Sequence, residues 1–223
     1  MQNAGKKSVM SLLFPLIWEA LFVASYLVVA LRDDRRHFAL TLYFMLVFYL
    51  GIIVVYRKHL LPSESFHGFT SLKSFFLPVI CTAAGVAFMM AVSNCFGPVL
   101  FPGSFKILLP LAYTSDIPGT ILFAVTVMFI KPVAAELLFR GAWIRFDSKA
   151  LMILTAAAGL ILEALTCGIT PQGILETALI AVPFAVAYCL TKNLYVTIFV
   201  HIIYSLIVNL PDVIYDIVRL VLS

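Results

Sequence analysis

Long apolar runs broken by short polar stretches organise this chain. A helix needs about 20 apolar residues to cross about 30 Å of hydrocarbon. On that rule the runs predict spans at approximately 9–31, 38–56, 75–96, 118–139, 150–167, 174–191 and 193–210. Only Thr191-Lys192-Asn193 separates the last two, which is the length of a tight helical hairpin. The polar stretch 57–74 begins Arg57-Lys58-His59 and reads as a loop. The stretch 97–117, with Gly97-Pro98, Pro102-Gly103 and Asp116, reads as a loop or re-entrant turn. Residues Asp212 to Leu222 are too few to span, and their acids with Arg219 suggest an interfacial helix, an eighth tilted span being the alternative. The first run is too long for a signal peptide's apolar core and lacks a small-residue cleavage site, so it is taken as a span. The expected division is therefore N-terminal spans and a loop at 1–117, a core at 118–210 and a C-terminal interfacial helix at 211–223.

Composition fixes the class. The chain is 63% hydrophobic and 12% charged, where a soluble domain carries about 25% charged residues. The expected fold is all-α, a polytopic transmembrane bundle of about seven or eight spans. The net charge of +4 lies mostly in short loops, as positive-inside topology requires, so nucleic acid is not an expected partner and membrane lipid is. With a cytoplasmic N-terminus, Lys6, Lys7, Arg57, Lys58, Lys73, Arg145, Lys149 and Lys192 share that side, against Arg32, Arg35, Arg36, Lys106 and Arg219 on the other. Cys81, Cys95, Cys167 and Cys189 form no CxxC pair and no zinc-like spacing with histidine, so they read as small buried hydrophobes. No cofactor or metal is called for.

The polar residues inside the apolar runs carry the chemistry. A charged side chain at mid-membrane costs about 2.5–3.5 kcal/mol on insertion scales and is a functional candidate by default. The segment Pro132-Val133-Ala134-Ala135-Glu136-Leu137-Leu138-Phe139-Arg140-Gly141 places Glu136 and Arg140 four residues apart on one helical face. They are either a structural ion pair at a helix end or part of a site. Glu163, in Gly159-Leu160-Ile161-Leu162-Glu163, has no basic residue within one turn. Such a carboxyl needs a proton or a cation from another helix. It is either a protonated acid bonded to a carbonyl or a general acid–base group. His201, Ser205 and Asn209 share one stripe of the seventh run, with Tyr204 beside it. A histidine there is an interhelical hydrogen-bonder or a catalyst. Glu19 reads as packing or lining, and Glu176 as a helix N-terminal charge favoured by the dipole. HExxH, GxSxG and P-loop patterns are absent from the sequence.

The order of these features resembles the CAAX protease and bacteriocin-processing (Abi) family of membrane endopeptidases. That family's pattern is an EExxxR helix, an FxxxH helix and a closing hairpin ending in HxxxN. Here Ala135-Glu136-Leu137-Leu138-Phe139-Arg140-Gly141 matches the first motif except at its first acid. Gly159 to Glu163 stands where FxxxH belongs, and Phe184 through Asn193 to His201 resembles the closing hairpin, with Ser205 in the asparagine place. The resemblance covers about 118–210. It implies a four-helix core enclosing a conical cavity, and peptide-bond hydrolysis in or at a bacterial plasma membrane. The substrate it implies is a prenylated or membrane-embedded peptide. Carried over, the water-activating base position is Ala135, its partner is Glu163, and the oxyanion pair is His201 with Ser205, while Glu136 and Arg140 support them. Alanine transfers no proton. The sequence therefore favours a non-catalytic or impaired protein that binds membrane peptides. A rearranged endopeptidase with Glu163 as base is the second reading, and a transporter-like polar path through Glu19, Glu163 and His201 the third.

Overall fold

Hydrocarbon offers backbone N–H and C=O groups no water, so each apolar run must close its hydrogen bonds within itself. The computed structural model describes residues 35–60, 72–103, 116–168 and 170–222, together with 17, 20, 21 and 24. Among the described residues the runs form six long helices and no strands. These are α1 (Arg35–Tyr56), α2 (Leu77–Leu100, led by a π-helical turn at Leu72–Phe76), α3 (Ile117–Ala142), α4 (Lys149–Cys167), α5 (Pro171–Thr191) and α6 (Leu194–Leu222). Helices α2 to α6 are long and apolar enough to cross a membrane, while the apolar part of α1 is the shorter Leu42–Tyr56. The expected span 9–31 and Glu19 lie outside the described residues, apart from the four helical positions just named.

Caps set the helix starts. Asp116, Ser148 and Thr170 accept from the N–H groups of Gly119, Leu151 and Gly173, at 2.6, 3.1 and 3.2 Å. Pro171 follows Thr170 as the first helical residue, where its missing N–H costs nothing. The hairpin at Thr191-Lys192-Asn193 forms as expected. Lys192 adopts the left-handed φ of 53° and bonds back to the Tyr188 carbonyl, and Asn193 Oδ1 accepts from Tyr195 N–H.

Two boundaries differ from expectation. Gly97 and Pro98 lie inside α2, not in a loop, because a proline in the last turn forfeits few bonds. The tail 212–222 does not form a separate helix. It continues α6 through Pro211 as one helix of 29 residues, which runs across the boundary expected at 210/211. Membrane helices tolerate proline because neighbouring groups re-satisfy the freed carbonyl.

Helices α2 and α5 run antiparallel, since Gly85 meets Pro183 and Gly97 meets Gln172. One apolar core joins α1, α3 and the start of α6, and a second joins α2, α5 and α6. The Tyr195 hydroxyl donates to the Leu60 carbonyl, Lys192 lies over the Phe146 ring at 5.2 Å, and Leu77 and Pro78 share a groove with Leu190 and Thr191. These contacts gather Arg57, Lys58, Lys73, Arg145, Lys149 and Lys192 at one end of the bundle. Among the described residues, Asp116, Asp212, Asp216 and Arg219 stand at the other. Cys81 and Cys95 are exposed and Cys167 and Cys189 half-buried, so the cysteines are not the buried hydrophobes the sequence suggested. A thiol facing lipid meets a solvent as apolar as a core.

Candidate functional site

Helix α3 is not a uniform α-helix. It widens into π turns at Thr126–Ile130 and again at Glu136–Ala142, where Trp143 N–H reaches back to the Leu138 carbonyl. Such π turns recur at functional sites. The second one carries both charged motif residues, and all its residues from Glu136 to Ala142 are buried.

Four side chains from three helices form one linked network. His201 Nδ1 of α6 lies 2.8 Å from Glu136 Oε1. Glu136 Oε2 faces Arg140 Nε at 3.4 Å, and Arg140 Nη1 lies 2.5 Å from Glu163 Oε2 of α4. Arg140 Nη2 donates to the Ala181 carbonyl of α5 at 3.2 Å. Glu136 is fully buried, and Arg140, Glu163 and His201 are 1%, 4% and 8% exposed. The cation that Glu163 needed thus comes from α3. Phe184 backs the network from α5, stacking on His201 at 4.9 Å and 17°, with Arg140 Cζ 5.6 Å from its centroid. Gly159, one turn before Glu163, makes the close approach possible. A Cβ there would stand 3.1 Å from both the Phe139 carbonyl and the Trp143 ring.

Beside the network lies a cavity of about 60 Å³, with Lys131, Glu163, Cys167, Glu176, His201 and Tyr204 among its walls. Its polar walls and size suit a few water molecules. Ser205 is buried one turn beyond His201 but does not line the cavity among the described residues, and its carbonyl accepts from Asn209 Nδ2. Ala135 belongs to the apolar core facing α1, together with Leu42 and Met45.

Glu176 corrects the sequence reading. It is not a first-turn charge held by the helix dipole; it is 2% exposed in the second turn of α5 and lines the cavity. Thr170-Pro171 was the available signal, since a cap followed by proline starts the helix at 171 and places Glu176 past its first turn. Lys131, Cys167 and Tyr204 were likewise missed as cavity residues, because each sits in a run read as span.

Glu136, Glu163 and His201 offer ligand atoms within 4.8 Å of one another, close enough to hold a metal ion. Arg140 contacts both carboxylates, however, and already supplies the positive charge that a cation would bring. The two carboxylates of the set are therefore already paired with a guanidinium.

Residues 117–207 match the family model described as Type II CAAX prenyl endopeptidase Rce1-like. The match spans α3 to the first half of α6, the stretch over which the motifs resemble that family. No curated protein and no solved structure matches the chain.

Proposed function

We propose that this integral membrane protein of the CAAX-protease type hydrolyses peptide bonds at the membrane through a rearranged site on Glu136, Arg140, Glu163 and His201. One observation carries the reading: these side chains converge from three helices beside a cavity that suits water. Each is costly at hydrocarbon depth, and apolar residues of similar volume would pack the same helices at least as well. Water activation accounts for their presence. The cavity would hold the water, and a membrane-embedded or prenylated peptide would present its scissile carbonyl at the cavity mouth. The basic end of the bundle would face the cytoplasm, and with spans at 9–31 and 38–56 the N-terminus would lie on that side too.

A second reading has its own observation. Ala135 offers no carboxylate at the family's base position, and losing a positioned base costs about 10²–10⁴ in rate. The protein would then bind membrane peptides without cutting them. Purified protein in lipid nanodiscs, incubated with a pool of membrane peptides and read by mass spectrometry, separates the two. Cleavage by the unmodified chain supports hydrolysis. Tight peptide binding without cleavage, with fragments emerging only on Ala135→Glu, supports recognition alone.

A further inference from the structure

We infer that His201, oriented by Glu136, is the general base of the cavity. The inference rests on the hydrolytic reading and assigns the base role to neither Ala135 nor Glu163. Glu136 is fully buried, with Arg140 at one oxygen, His201 Nδ1 at the other and the Thr197 side chain as a further hydrogen-bond partner. A carboxylate only accepts, so Nδ1 carries the hydrogen of the 2.8 Å contact, and in the neutral ring the lone pair is then on Nε2. The ring plane is fixed by stacking on Phe184 at 4.9 Å, and the ring lines the cavity. Nε2 is then the imidazole's one remaining polar atom, in a side chain that lines a cavity sized for water. This is the arrangement by which a buried carboxylate orients a catalytic imidazole.

Glu163 is differently placed. Its Oε2 lies 2.5 Å from Arg140 Nη1, and taking a proton would forfeit half of that ion pair. Its role is to hold the guanidinium, and through it Glu136, which makes it a positioning residue.

The step balances without a cofactor. His201 Nε2 takes one proton from a cavity water as the water oxygen bonds the scissile carbonyl carbon. Glu136 holds Nδ1–H and stabilises the imidazolium. Nε2 returns the proton to the amide nitrogen as the C–N bond breaks, leaving a carboxylic acid and an amine. Tyr204 and Lys131 also line the cavity and carry donor groups.

The test compares kcat, KM and peptide binding for His201→Gln, Glu136→Gln and Glu163→Gln on a peptide that the unmodified protein cleaves. His201→Gln is expected to lower kcat by about 10²–10⁴ with peptide binding retained, and Glu163→Gln by about tenfold less than that. Glu136→Gln is expected to lower kcat with KM near the original, because its amide oxygen still accepts from Nδ1–H but carries no charge. Cleavage that survives His201→Gln but is silenced by Glu163→Gln overturns the assignment and leaves the hydrolytic reading standing. No cleavage by the unmodified protein defeats the hydrolytic reading, and the base assignment with it. If His201→Gln does not fold, His201→Ala with added imidazole replaces it. Restored cleavage supports the assignment, and a folded protein that imidazole cannot rescue overturns it.

Discussion

Helices α3 and α4 have the same mean hydropathy, 2.0 in their most apolar windows, yet 50% of that window is buried in α3 and 17% in α4. Composition does not separate them. Between helices in lipid the usual hydrophobic drive is missing, and small residues, close packing and polar contacts decide which face turns inward. Helix α3 meets neighbours nearly all round its second half, where Ala134 to Ala142 are buried without a break. Helix α4 buries only Gly159, Glu163 and Ala164, while Ile153, Leu154 and Ile161 are more than half exposed. It packs along α5 and meets α3 through a close approach at Gly159 and an ion pair at Glu163. A few polar and small residues therefore place a helix whose remaining surface suits lipid.

Substitutions that break this contrast should rank by how much of the network they touch. Arg140→Met leaves Glu136 and Glu163 buried without their shared cation and is expected to cost about 3–5 kcal/mol, read by chemical unfolding in detergent. Leu138→Ala opens a cavity in the α1–α3 core. Because the unfolded helix stays in lipid, mainly the packing part is lost, about 2 kcal/mol by the same assay. Gly159→Ala pushes on the Phe139 carbonyl and Trp143, with an expected cost of about 1–2 kcal/mol and a shift in Trp143 fluorescence. Ile153→Ala, on the exposed face of α4, should fall within about 0.5 kcal/mol of the original. A loss at Ile153 as large as that at Gly159 would erase the distinction between the two faces.

The sequence made the helices legible because hydropathy reports what each run must be surrounded by. It also marked Glu136, Arg140, Glu163 and His201, since charge inside an apolar run stands out without any knowledge of packing. What it could not specify was the pairing. Arg140 and Glu163 are far apart along the chain, and their contact depends on Gly159 letting α4 approach α3. Ser205 shares a stripe with His201, yet it is Tyr204, not Ser205, that reaches the cavity from the next turn of α6. Glu176 and Lys131 were hidden for the converse reason. They lie on helices whose cavity-facing sides are set by register against neighbours, which periodicity alone does not give. Gly97-Pro98 misled one boundary because a proline stop signal learned from soluble helices is weaker in a membrane, and the acids of the tail misled the other because α6 carries them on past Pro211.

The central claim is that Arg140 ties the charge of α3 to that of α4 in one buried network. A double-mutant cycle on Arg140→Met and Glu163→Met, measured as unfolding free energy in detergent, tests it most directly. The account predicts strong coupling: the double variant should recover at least about 1 kcal/mol relative to the sum of the single losses, because removing both partners leaves fewer unpaired charges. Losses that simply add would show that the two side chains do not depend on each other, and the network would not exist as described.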